Sequence, residues 1–90
     1  MIIQVTQEDI DNGTKGDCKI CPVALALFRA TGMHWMVMAS FAFPASYTHG
    51  NIETASIVWG PNSPAFAFIR DFDSGKTVSP FDFDFDYAII

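Results

Sequence analysis

The order of elements along the chain predicts an α+β fold, the ferredoxin-like split β-α-β sandwich (β-α-β-β-α-β) with an extra helical turn after the first strand. Three observations predict it. Phe81-Asp82-Phe83-Asp84-Phe85-Asp86-Tyr87 alternates strictly, so a strand there carries aromatics on one face and carboxylates on the other. Pro22 and Pro64 each open an apolar stretch that closes on a glycine, Gly32 and Gly75, the punctuation of a helix. Between the two helices, apolar residues alternate from Met33 to Phe43 and resume from Ile52 to Trp59, which reads as two strands.

Taken in order, Ile2 to Thr6 is a short strand with Ile3 and Val5 inward. Thr6 followed by Gln7, Glu8 and Asp9 is a capping signal for a brief helix that stops at Asn12-Gly13. A polar loop from Thr14 to Asp17 leads to Cys21 and Pro22, where proline suits the first helical position because its missing N–H costs nothing there. That helix is apolar almost all round, Arg29 being its lone charge, so it is expected between two layers. Met33 to Phe43 reads as one long strand ended by Pro44, with a loop through Tyr47 and His49 before the next strand. Gly60-Pro61-Asn62-Ser63-Pro64 is strong punctuation; Ser63 caps a helix through Ser74 whose inward stripe is Ala65, Phe68, Ile69 and Phe72. The acidic strand comes last and pairs antiparallel with the first.

Ninety residues make a single α+β domain over positions 1–90, with a small core. Half the residues are hydrophobic, nine of them Phe, more apolar side chain than one such core absorbs. A partner or a second copy is expected to cover the excess, Met36 and Met38 included. Ten acidic residues against five basic ones give a net charge of −5. That argues against direct nucleic-acid binding or an anionic membrane and favours a protein with a basic surface. The N-terminus lacks a basic leader, and no apolar run approaches ~20 residues, so a cytoplasmic location is expected.

The acidic strand is the candidate partner-binding face. Asp82, Asp84 and Asp86 would stand in a row about 7 Å apart, a repeating line of negative charge like that of one nucleic-acid strand, with Asp71 and Asp73 extending it. Acids on an outer strand also deter sheet-to-sheet aggregation.

Cys18-Lys19-Ile20-Cys21-Pro22 at a helix start is the alternative centre of chemistry. Helix N–H groups favour a thiolate there, and a second thiol three residues away could resolve a disulfide. A thioredoxin-like site, however, has its pair directly after a central strand, whereas a loop intervenes here. Zinc takes four ligands in a structural site; Cys18, Cys21, His34 and His49 are countable, but their spacing does not match a finger. Two cysteines so close together form no secreted disulfide framework, and packing of small thiols at the helix start is the plainer reading. Neither histidine stands at a recognisable triad distance from a nucleophile, and the glycines sit at turns rather than in a phosphate-binding loop. No cofactor and no enzymatic activity is expected.

Gly16-Asp17-Cys18-Lys19-Ile20-Cys21-Pro22-Val23-Ala24-Leu25-Ala26, preceded by Val5 to Ile10 and followed later by Phe68 to Phe83, resembles a family of small uncharacterised proteins from phages and bacteria. The likeness covers about half the chain and does not extend to Met33–Trp59. It implies a phage or mobile-element setting and no assigned activity. Small acidic phage proteins often act by occupying a host nucleic-acid-binding protein, as anti-CRISPR and other anti-defence proteins do. By that analogy the expected function is a protein-binding inhibitor, a nucleic-acid mimic acting in the host cytoplasm; the alternatives are a thiol-redox or zinc protein and a structural homodimer.

Overall fold

The computed structural model describes residues 2–44, 57–59 and 62–84. Along them run β1 (Ile2–Val5), α1 (Gln7–Asn12), α2 (Pro22–Thr31), β2 (Trp35–Val37), β3 (Phe41–Pro44), β4 (Ile57–Val58), α3 (Pro64–Asp73) and β5 (Phe81–Asp84). The class is α+β, with three helices and two antiparallel sheets among the described residues: β1 with β5, and β2-β3-β4. The predicted pairing of first and last strands is present, Ile3 opposite Phe83 and Gln4 opposite Asp82. The single four-stranded sheet of the ferredoxin-like order is not among these pairings.

The departure starts at one turn. Met33–Phe43 is not one strand but a hairpin, with Trp35 paired to Pro44 and Val37 to Ala42, closed where Met38 N–H donates to Phe41 O at 2.8 Å. Side-chain alternation therefore changes phase at Ala39-Ser40. Trp35 and Val37 face inward before it, Ala42 and Pro44 after it, while Phe41 and Phe43 are only half-buried. No described non-glycine residue has a positive φ, so this turn avoids the primed geometries that demand Asn or Gly, and Ser40 is its sole, weak turn signal.

Helix ends follow the local signals. Thr6 and Asp9 form a reciprocal capping box at α1. Cys21 occupies the N-cap of α2, with Pro22 following and Gly32 closing the helix at φ 76° in the left-handed region; such a C-cap strains any residue with a Cβ. Ser63 accepts from Ala65 N–H at the start of α3. Gly13 is needed for space rather than for φ: a Cβ there would lie 2.5 Å from Pro22 Cδ.

The core lies where α2 packs against both β1 and β2 and α3 packs against β5. Ile3, Val5, Val23, Leu27 and Trp35 are fully buried within it. Expected between two layers, α2 instead leaves Phe28, Arg29 and Ala30 exposed in its last turns, and the His34 ring stacks on Phe28 at 4.4 Å. Phe68 meets Phe81 at 4.6 Å, as the predicted stripe of α3 requires. Trp59 links the sheets: its backbone N–H donates to Ser40 O and its indole N–H to Ala39 O, while its ring meets Phe83 edge-on at 5.9 Å.

Candidate functional site

Two features stand out, the outer face of the β1–β5 ribbon and a cleft beside the cysteines. On the ribbon, Phe83 is buried and Phe81 half-buried, whereas Asp82 and Asp84 are exposed. Strand geometry makes this unavoidable, since committing the phenylalanines to the core turns every second side chain outward. Across the pairing, Asp82 faces Gln4 and Asp84 faces Ile2, and Ile2 is 60% exposed. The face is thus acidic with one apolar residue at its side. Asp86 lies outside the described residues.

The other predicted partner residues are placed differently. Asp71, in the last turns of α3, takes Arg70 Nε at 3.2 Å and Lys76 Nζ at 3.9 Å on one carboxylate oxygen, so its charge is largely answered within the chain. Asp73 accepts from Gly16 N–H at 3.1 Å and stands at the cleft rather than on the ribbon face. Met36 and Met38 are half-buried, and Met38 lines the cleft. Among the described residues, the exposed large hydrophobics Ile2, Ile20 and Phe28 lie on three separate segments, β1, the cysteine loop and α2.

The cleft has a volume of about 340 Å³. Val37, Met38, Ala39, Phe66 and Ile69 form its apolar walls, Cys18 and Cys21 lie along it, and Asp17, Arg70 and Asp73 complete it. The cysteine loop is fastened on several sides: Thr14 N–H to Ile20 O, Val37 N–H to Cys18 O, Lys19 N–H to Asp17 Oδ1 and Gly16 N–H to Asp73 Oδ1. Gly16 at φ 74° makes the turn between these anchors. A G-D pair in a polar loop signals a turn, but its anchor Asp73 lies 57 residues away, beyond any local pattern.

Cys21 follows the plainer sequence reading, a small thiol packed at the helix start, and departs from the thiolate alternative. Cys21 is 5% exposed, and burial pushes its thiol up to about 11; helix N–H groups of Ala24 and Val23 pull it down but lose to burial, which nearby Asp73 and Cys18 reinforce. A low-pKa helix-start thiolate is therefore not what this environment makes. Cys18 is half-buried and both thiols are free. Among the described residues no group of three or more His, Cys, Asp or Glu is placed to hold a metal ion; of the four countable zinc ligands, His34 is stacked on Phe28 and His49 lies outside the described residues. No helix among the described residues is long and apolar enough to cross a membrane. Comparison with protein-family models, curated proteins and solved structures finds no match to this chain.

Proposed function

We propose that this chain is a small acidic protein-binding inhibitor, without enzymatic activity, that uses the outer face of the β1–β5 ribbon to occupy a basic, nucleic-acid-binding site on another protein. One observation carries the reading: Asp82 and Asp84 are both exposed on one face of a strand whose phenylalanines are committed to the core. The net charge of −5 steers such a chain toward a basic surface and speeds encounter, while apolar contact with Ile2 adds hold. In the phage setting that the resemblance implies, and by analogy with small acidic anti-defence proteins, the partner is a CRISPR or other defence effector in the bacterial cytoplasm.

The test replaces Asp82, Asp84 and Asp86 by Asn. Wild-type and triple-Asn chains are used as bait in a bacterial lysate at low and raised salt, and captured nucleic-acid-binding proteins are then assayed for displacement of their DNA or RNA. The reading expects a captured protein that the wild type displaces from nucleic acid and the Asn variant does not, with binding weakened by salt. Identical capture and displacement by the two chains would sink it.

A further inference from the structure

We propose that the cleft between the cysteine loop, the β2–β3 turn and α3 binds a small amphiphilic primary amine, its ammonium held by Asp17 and Asp73 and its apolar body lying on Val37, Met38, Ala39, Phe66 and Ile69. The cleft's 340 Å³ falls at the small end of ligand pockets, which run from roughly 300 Å³ upward, and apolar walls with a few polar groups are the usual composition of such sites. The walls select an apolar body. The polar groups select the head.

Asp17 and Asp73 each spend one oxygen on a backbone N–H, that of Lys19 at 3.0 Å and that of Gly16 at 3.1 Å. Those bonds orient the carboxylates before any ligand arrives, which lowers the ordering cost of binding, and leave each a second oxygen for an outside donor. Arg70 is the opposing charge on the cleft, but its Nε is engaged by Asp71 Oδ1 at 3.2 Å. Two carboxylates against one paired guanidinium, in a chain of net charge −5, favour a cation over an anion or a neutral body. This inference does not rest on the acidic ribbon, which shares neither Asp17 nor Asp73.

Titration of the full chain with phenethylamine, phenethyl alcohol and 3-phenylpropionate, followed by amide NMR shifts and calorimetry, tests it. The amine should bind about tenfold or more tightly than the alcohol, moving the amides of Gly16 to Cys18 and Val37 to Ala39, and the carboxylate should not bind. Asp17→Asn and Asp73→Asn keep an oxygen for the Lys19 and Gly16 N–H groups, so the fold is retained; each should weaken the amine about tenfold. Alkylation of Cys18 by iodoacetamide gives a second readout, slowed by the amine in the wild type and not in the Asn variants. Equal binding of amine and alcohol, binding of the carboxylate, indifference to both Asn substitutions, or no shift at the cleft amides overturns the proposal.

Discussion

Arg29 grips Asp9 with both arms of its guanidinium, Nη1 to Oδ1 at 2.7 Å and Nη2 to Oδ2 at 2.9 Å, and the same Nη2 also donates to Gln4 O at 2.7 Å. Asp9 in turn accepts from Thr6 N–H at 2.9 Å, and its own N–H donates to Thr6 Oγ1. One buried carboxylate thereby ties α1, α2 and β1 together, and the single charge of α2 explains itself as a clamp on the first strand. Asp9→Ala removes the bidentate pair and half of the capping box. It should cost about 2–3 kcal/mol, read from urea unfolding, whereas Arg29→Gln, at a half-exposed side chain, should cost about 1 kcal/mol.

The same cluster sets an acid limit. Burial raises the Asp9 pKa, but the Arg29 and Thr6 hydrogen bonds and the Arg29 charge outweigh it, so the carboxyl ends below its ordinary 3.8. A group with a depressed folded pKa contributes stability present above the unfolded value and lost as pH falls through the folded one. Stability should therefore drop as pH falls below 3.8, and Asp9→Asn should flatten that part of the profile while lowering the neutral plateau. An unaltered acid profile in Asp9→Asn would show that other carboxylates set the limit.

Gly13→Ala tests a contact that involves no hydrogen bond. The new methyl would meet the Pro22 ring at 2.5–2.7 Å, and proline at the first turn of α2 cannot rotate away. Destabilisation of about 1–3 kcal/mol is expected, with the circular dichroism of the folded state retained. A neutral result would mean that the segment from Gly13 to Pro22 shifts freely, contrary to its several backbone anchors.

Helix ends were legible in the sequence because their determinants are local: Thr6 with Asp9, Cys21-Pro22 with Gly32, and Ser63-Pro64 each act within a few residues. The inward phenylalanines of β5 and the stripe of α3 were legible for the same reason, since periodicity alone assigns their faces. The hairpin at Ala39-Ser40 was not, because a single serine is a weak turn signal and the apolar alternation on both sides continues through it. The cleft was illegible too. It depends on Asp73 meeting Gly16 and on Cys18 O meeting Val37 N–H, contacts that tertiary folding creates between distant segments. Cys21 shows a local rule losing to burial: its helix position was read correctly, yet its thiol moves the opposite way.

Thr31 carries a polar relay at the end of α2, accepting from Trp35 Nε1–H at 2.8 Å and donating to Leu27 O at 2.7 Å. Thr31→Val keeps the shape and takes away the acceptor beside a fully buried indole. A loss of about 1–3 kcal/mol follows, together with altered tryptophan fluorescence; Thr31→Ser retains the hydroxyl and should recover most of the stability. Equal stability of the Val and Ser variants would show that the hydroxyl is not what holds the indole.

The two thiols should separate cleanly by reactivity. Cys18 borders the cleft and is half-buried, whereas Cys21 is buried with its pKa at about 11 against an ordinary 9.0, so near neutral pH it offers almost no thiolate to an alkylating agent. Mass spectrometry of the native chain after brief iodoacetamide treatment should show one adduct, lost in Cys18→Ser and unchanged in Cys21→Ser. The raised pKa also fixes an alkaline limit: the contribution of Cys21 is complete below 9.0, where the thiol is neutral in folded and unfolded chains alike, and is lost as pH rises through about 11 because only the unfolded chain ionises freely in between. Cys21→Ala should remove that decline at the cost of a small cavity. Rapid alkylation of Cys21 in the folded chain would contradict both halves of this expectation, since it requires an exposed thiolate where the structure places a buried thiol.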